Sequence, residues 1–318
     1  MYIRPPTHAE YNITTDKPEL SVVLPGNHPH LWTKVYNSII GATTRSFELI
    51  VVTPMGATVP PWFWYSPNIK VIKDYGSPVR AHAIGATLAE GKLITWIPDD
   101  GEFAPAGLDA AIDKLYEMGT DHKNIVTYKF TENEKVYTDE YYKINFHKGE
   151  NGEGIASEYI SDDYYLLNHC IIYRDYYEEL GGIDCSYEGT AMAYVDFSIR
   201  AQHNGASVHL LGGIPILNCS QYTDGDTRHS HVEKAQKEHD EPAYFETYKA
   251  SNWRETVVPK LNVFNWKESP VAWPRKYKPF IENAESEYAY YTIGDKLVKR
   301  FFDSPEAIRK FFNLKEGS

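Results

Sequence analysis

An open α/β fold, with a mostly parallel sheet covered by helices on both faces, is the architecture that this chain of 318 residues predicts. Three observations predict it. Successive short runs are apolar throughout rather than alternating, as strands buried on both faces are. Between them lie segments with apolar residues at helical spacing, several of which close at glycine. Each run also ends in proline, glycine, asparagine or acids, at the strand ends where open α/β sheets bind their ligands.

The elements follow in order. Residues 1–18 are polar and contain proline, and read as an N-terminal arm. "LSVVLPG" (Leu20–Gly26) is the first strand, and "HLWTKVYNSIIGA" a helix with Leu31, Val35, Ile39 and Ile40 on one side. "FELIVVTPMG" and "NIKVIKDYG" are the second and third strands. "PVRAHAIGATLAEG" is a helix opening near Pro78 and closing at Gly91. "KLITWI" is the fourth strand, running into Pro98, Asp99, Asp100 and Glu102, and "APAGLDAAIDKLYEMG" the next helix. Beyond residue 122, "NIVTYKF" and "VYTDEYYKINFHK" have strand-like alternation and "GENGEG" is a loop. "YYLLNHCIIY" is an apolar strand, "RDYYEELGGID" a helix closed by Gly181-Gly182, and "AYVDFSIRAQHNGA" a helix ending at Gly205. "SVHLLGG" and "IPILNCS" are strands, followed by a polar His-rich stretch, a Trp/Pro-containing stretch and an amphipathic tail, "DSPEAIRKFFNLK".

Composition narrows the function. A formal charge of −12 opposes nucleic acid and anionic membranes as partners, since phosphate contacts need clustered Lys and Arg. The sequence shows no apolar opening segment and no run of 18 apolar residues, so neither secretion nor a membrane span is indicated. Cys170, Cys185 and Cys219 form neither a disulfide framework nor a zinc spacing, which fits a cytoplasmic setting. Aromatic residues reach 14%, with 25 Tyr, as core packing or as stacking platforms for sugars or bases. "PPWFWYSP" is either a rigid loop lining a pocket or a hydrophobic plug over the sheet edge.

The ordered motifs resemble the family-2 glycosyltransferases with the GT-A fold. The resemblance runs from Leu20 to Leu211 and rests on the opening strand and helix, "FELIVVTPMG", "SPVRAHAIGATLAEGKLITWIPDDGEFAP", "IIYRDYYEELGGID" and "YVDFSIRAQHNG". It implies a GT-A-type domain over residues 19–220, with a nucleotide-binding half at 19–121, an acceptor half at 122–220 and a C-terminal extension at 221–318. It implies transfer of a hexosyl or pentosyl group from a nucleotide-sugar donor to a carbohydrate or other hydroxyl-bearing acceptor. Asp99 would face the ribose and Asp100 would hold Mn²⁺ or Mg²⁺, hard ions that take oxygen ligands and share phosphate oxygens. The other reading of these acids is that they only complement the dipole of the following helix. Arg80 would grip the diphosphate, while Pro25 and Thr53 close the first two strands where the nucleotide lies. His229 and His231 are candidates to complete the metal shell.

Three departures from the family pattern bear on function. Thr53-Pro54 stands where the family carries a uracil-reading Asp. Pro98 replaces the leading acid of the fuller acidic motif. The Glu-Asp pair that supplies the general base in inverting relatives falls on Ala193 and Tyr194, leaving Asp196 or Glu188 to take the role. Asp196 reads equally as a helix acid paired with Arg200 four residues on. A retaining enzyme, or a GT-A-like protein that binds nucleotide or sugar without turnover, are the alternatives. A nucleotidyltransferase would want a Gly-rich, Lys-containing phosphate loop, and "PGNHPH" has neither a second glycine nor a lysine.

Overall fold

The structure is a computed structural model that describes residues 17–53, 57, 59–74, 77–144, 164–220, 235–249, 288–293 and 296–301. Its first four strands are β1 (Leu20–Pro25), β2 (Phe47–Thr53), β3 (Ile69–Lys73) and β4 (Leu93–Trp96). They pair in parallel, with Leu20 level with Phe47 on one side and Leu93 on the other. All of β2 and β4 is buried, as is β1 up to Leu24, which is why these runs lack polar alternation. β6 (Asn124–Tyr128), β9 (Cys170–Tyr173) and β10 (Ser207–Leu211) extend the sheet to the order β10-β6-β9-β4-β1-β2-β3. Only β9 runs antiparallel to its neighbours, so its first residue lies at the edge where the parallel strands end.

The covering helices bury the faces that their spacing predicts. α1 (Trp32–Ala42) turns Trp32, Val35, Tyr36 and Ile39 inward, and α3 (Gly107–Glu117) turns Leu108, Ala111, Ile112 and Leu115. α2 (Pro78–Thr87) is buried over most of its length, starts at proline and is capped by the Ser77 side chain, which accepts from the Arg80 backbone N–H. α4 (Arg174–Glu179) ends before Gly181 and Gly182, whose φ values of 77° and 66° suit glycine alone at little cost. α5 (Thr190–His203) completes the set.

The structure departs from the sequence reading in two places and takes the plug reading of "PPWFWYSP". A strand, β5 (Gly101–Phe103), follows the acids directly and joins a second sheet with β11 (Leu217–Cys219), β7 (Phe130–Glu132) and β8 (Lys135–Val136) in the order β5-β11-β7-β8. The tyrosine-rich run after Val136 turns into a 3₁₀ helix, Asp139–Tyr142. There the Tyr142 hydroxyl accepts from the Phe130 N–H at 2.9 Å and Tyr137 stacks on Tyr141 at 4.0 Å, so the rings pack on one another rather than alternating across a sheet. Residues Pro61–Tyr65 form a 3₁₀ helix that plugs the sheet, with Phe63 fully buried against Trp32 and Trp62 edge-on to Tyr36.

Part of the C-terminal extension packs on α5. A π-helical turn, Gln236–Asp240, and α6 (Glu241–Lys249) carry Asp240, whose carboxylate accepts from the Glu188 and Gly189 N–H groups at 2.9 and 2.6 Å. Gly189 is the N-cap of α5, so the carboxylate satisfies the backbone N–H at the mouth of the helix, where negative charge is favoured. A hairpin of β12 (Tyr288–Ile293) and β13 (Lys296–Phe301) was not legible in the sequence; the amphipathic run 303–315 lies outside the described residues. Among the described residues no helix is long and apolar enough to cross a membrane.

Two glycines test this packing. A Cβ on Gly91 would lie 2.6 Å from the Ser21 backbone nitrogen, whereas one on Gly41, in α1, meets nothing within 4 Å. Gly91→Ala is expected to lower stability by about 1–3 kcal/mol, and Gly41→Ala to raise it by roughly 0.5–1 kcal/mol through helix propensity. Urea unfolding of the two variants measures both.

Candidate active site

The register of the parallel strands brings Pro25, Thr53, Asp74 and Asp99 to one edge of the sheet. The Gly26 N–H bonds to the Val52 carbonyl at 2.9 Å, and the Asp74 N–H to the Thr53 carbonyl at 2.9 Å. Trp96 ends β4, and Ile97, still bonded to the Val23 carbonyl, leads into the acids. A crevice beside this edge is lined by Leu31, Lys34, Asp99, Asp100, Glu102 and Ser220.

Asp99 and Asp100 do different work. Asp99 is 8% exposed, and its Oδ2 accepts from the backbone N–H groups of Asn27 and His28. The Nδ1 of His28 lies 3.0 Å from both of its carboxylate oxygens. The carboxylate therefore fastens the loop after β1 to the end of β4. Asp100 is only half-buried and its carboxylate is not used in this way. Burial, followed by the adjacent Asp99, pushes its carboxyl up to about 6, with Glu132 of β7 adding to the rise. Glu102 pairs with Lys34.

Thr53 ends β2 with 1% exposure, and its hydroxyl has no hydrogen-bond partner among the described residues. A buried hydroxyl without a partner costs free energy that a ligand can recover. Pro25 closes β1 half-buried, one residue before Gly26, where a Cβ would lie 2.7 Å from the Trp32 Nε1.

For Arg80 the structure corrects the expectation of an open, phosphate-facing guanidinium. It is 2% exposed, with Nε 3.0 Å from Asp74 Oδ2 and an Nη2 bond of 3.3 Å to Oδ1. The fork that suits a phosphate is here placed on a carboxylate that closes β3.

Asp196 is corrected in the same way. It is fully buried, with Oδ2 accepting from Arg200 Nε at 2.8 Å and Oδ1 from the Tyr248 hydroxyl at 2.8 Å. Arg200 also donates to the Leu180 and Gly182 carbonyls. The i, i+4 pair thus ties α5 to the Gly-Gly turn, and the fully buried carboxylate faces Arg200 and Tyr248 rather than an open crevice. Glu188, 1% exposed, sits in the turn that Asp240 caps, so burial also sets it apart from the open crevice. Tyr194, in the place of a family acid, stacks on Trp96 at 5.7 Å, and Ala193 is fully buried. His229 and His231 lie outside the described residues.

The sequence reading missed His28 and Glu132 altogether. His28 carried a signal in "PGNHPH", a polar loop directly after a buried strand, whereas Glu132 is brought to Asp100 only by the pairing of Cys219 with Glu132 and Gly101. Among the described residues no group of three or more His, Cys, Asp or Glu is close enough to hold a metal by itself.

The raised Asp100 carboxyl has a direct consequence for stability. Folding favours its protonated form, so its contribution is present below pH 4 and is lost as the pH rises through about 6. Asp100→Asn, which mimics the protonated form, is expected to stabilise the metal-free protein at pH 7.5 by on the order of 1–2 kcal/mol after allowance for partial exposure, and to change little at pH 4. Urea melts at the two pH values check the sign.

No protein-family model matches the chain, and no curated protein matches it in sequence. Solved structures match in shape. Residues 1–349 of S. aureus TarS align over 80% of this chain and 73% of that one, with 12% identity and a TM-score of 0.50. The same TarS segment in complex with UDP-GlcNAc aligns over 80% of this chain and 74% of that one, with 13% identity and a TM-score of 0.50. These likenesses concern the fold, which is the GT-A-type, mostly parallel sheet flanked by helices that the sequence predicts.

Proposed function

We propose that the chain is a glycosyltransferase that binds a nucleotide-sugar donor across the ends of β1, β2 and β4 and passes the sugar to a hydroxyl acceptor. The observation that carries this reading is the convergence of Pro25, Thr53 and Asp99 on one sheet edge, beside a half-buried Asp100 that the fold leaves uncommitted. Parallel α/β sheets take their ligands at this edge. The GT-A-type fold, shared with a protein solved in complex with UDP-GlcNAc, supports the class of donor.

In this reading the Thr53 hydroxyl, which both donates and accepts, meets the edge of the base. Asp99 keeps the loop from Asn27 to His28 in position to receive the sugar–phosphate part of the donor. Asp100 would hold Mn²⁺ or Mg²⁺ together with diphosphate oxygens and water, a shell in which one or two protein carboxylates suffice. A carboxyl that resists ionisation beside another acid fits such a cation, which removes the repulsion. When bound, the ion would neutralise charge developing on the departing diphosphate. The acceptor half, which begins near residue 122, would frame the hydroxyl.

A second reading, binding without turnover, draws support from Ala193 and Tyr194, which stand where acids supply the base in inverting relatives.

Thermal unfolding against a panel of nucleoside diphosphates and nucleotide sugars, with and without Mn²⁺, tests the proposal. A metal-dependent rise in midpoint with one nucleotide is expected, since a ligand that binds only the native state stabilises it by mass action. Asp100→Ala is expected to abolish the metal dependence. A wild-type protein indifferent to every nucleotide would refute the assignment. Binding of a donor with no release of nucleoside diphosphate over hours would favour the non-catalytic reading.

A further inference from the structure

Resting on that reading, we infer that the acceptor subsite is a strip of the second sheet, from Gly101 through Cys219 and Glu132 to Tyr137 and Tyr141, and that it takes a neutral pyranose ring. Strand register builds the strip. Gly101 of β5 is level with Cys219 of β11, and Cys219 with Glu132 of β7, so the three share one face. Their neighbours share the other face, where the Thr131 hydroxyl donates to Asn218 Oδ1 at 2.9 Å. Two strand spacings place the Glu132 backbone about 10 Å from that of Gly101, a span that a sugar ring and acidic side chains together can bridge. Asp100 directly precedes Gly101, and its carbonyl accepts from the Ser220 N–H at 3.2 Å, which keeps it beside β11.

The far end of the strip is aromatic. β8 pairs with β7, with Lys135 level with Glu132, and Tyr137 follows directly. The Tyr137 hydroxyl donates to Glu132 Oε2 at 2.5 Å. Its ring stacks on Tyr141, with centroids 4.0 Å apart and planes at 27°, and Phe130 packs against both at 5.4 and 5.9 Å. Core packing does not account for the whole group. Phe130 and Tyr142 are buried, whereas Tyr141 is 38% and Val136 61% exposed. Among the described residues the other exposed large apolar side chain is Ile214, so two of the three lie together here.

Glu132 links the rings to the crevice. It is half-buried, and among the described residues only its Oε2 accepts a hydrogen bond, which leaves Oε1 for a ligand hydroxyl. Its charge is felt at Asp100 on one side and at Tyr141 on the other. The bond to Glu132, then burial, raises the pKa of the Tyr137 hydroxyl; burial, then Glu132, raises that of Tyr141. Both phenols therefore remain protonated at neutral pH.

The chemistry selects the ligand class. A pyranose ring carries C–H groups on its faces and hydroxyls around its rim. The faces suit the Tyr141 ring and Val136, and the rim suits the Glu132 carboxylate and the phenols. An acyclic polyol has hydroxyls throughout and offers no such face. Charge disfavours a phosphate-bearing acceptor: Glu132, Glu134 and Asp139 belong to this segment, and its lysines are engaged. Lys129 pairs with Asp139, and the Lys135 Nζ lies 4.8 Å from the Tyr137 ring centroid.

Saturation-transfer NMR on the full chain tests the site, with methyl β-D-glucopyranoside as probe and sorbitol as the acyclic control, both without nucleotide and with UDP and Mg²⁺. Transfer to the pyranoside ring protons is expected, and none to sorbitol. Tyr141→Ala and Glu132→Gln are each expected to weaken pyranoside binding by about tenfold, whereas Tyr141→Phe, which keeps the ring, stays within about threefold of wild type. Unchanged affinity in Tyr141→Ala or Glu132→Gln, equal transfer to sorbitol, or no transfer to the pyranoside under either condition would overturn the subsite; a nucleotide-dependent thermal shift would still leave the glycosyltransferase reading standing. Tyr141-dependent pyranoside binding by a protein indifferent to every nucleotide would fail that reading and remove the acceptor role with it.

Discussion

The carboxylate of Asp99 is the contact on which the candidate site depends. It joins the end of β4 to the loop after β1 through two backbone N–H groups and one imidazole, residues more than seventy positions apart in sequence. Charge-assisted bonds of this kind are stronger than neutral ones, and burial strengthens them further. With the loop fastened, α1 begins directly beyond it and Lys34 comes within reach of Glu102, forming one wall of the crevice. The adjacent pair of acids has a physical division of labour: one is used inside the protein, and the cost of placing a second beside it falls on Asp100.

Elsewhere the fold uses charge for assembly rather than chemistry. Arg80 with Asp74, Arg200 with Asp196, and Asp240 with the start of α5 are each buried and each link segments that packing alone would leave free to shift. Breaking such a pair by removing one partner leaves a buried charge uncompensated, at a cost of about 3–5 kcal/mol. This explains why arginines and acids matching a catalytic family pattern stand in structural roles here. The Asp196 carboxylate is held by Arg200 and Tyr248 together, and the latter comes from the extension that follows the core sheet.

Most of the sheet was legible in the sequence because continuous apolar runs have few alternatives once glycines and prolines bound them. The Asp196–Arg200 pair was legible from its i, i+4 spacing, and the plug around Phe63 from four aromatics between prolines. What escaped depends on long-range pairing. β5 is three residues long and begins with glycine, and it exists because β11, far downstream, supplies its partner. Glu132 nears Asp100 only through that same sheet. The bond from Asp240 to the start of α5 joins residues 51 positions apart and has no local signal.

The central claim is that a nucleotide lies across the ends of β1, β2 and β4 with its diphosphate next to Asp100. A crystal structure of the chain grown with a nucleoside diphosphate and Mn²⁺ tests it directly. The account predicts the base against Thr53, the diphosphate over the Asn27–His28 loop, and an anomalous manganese peak within bonding distance of Asp100. A nucleotide bound elsewhere, or manganese density remote from Asp100, would contradict it.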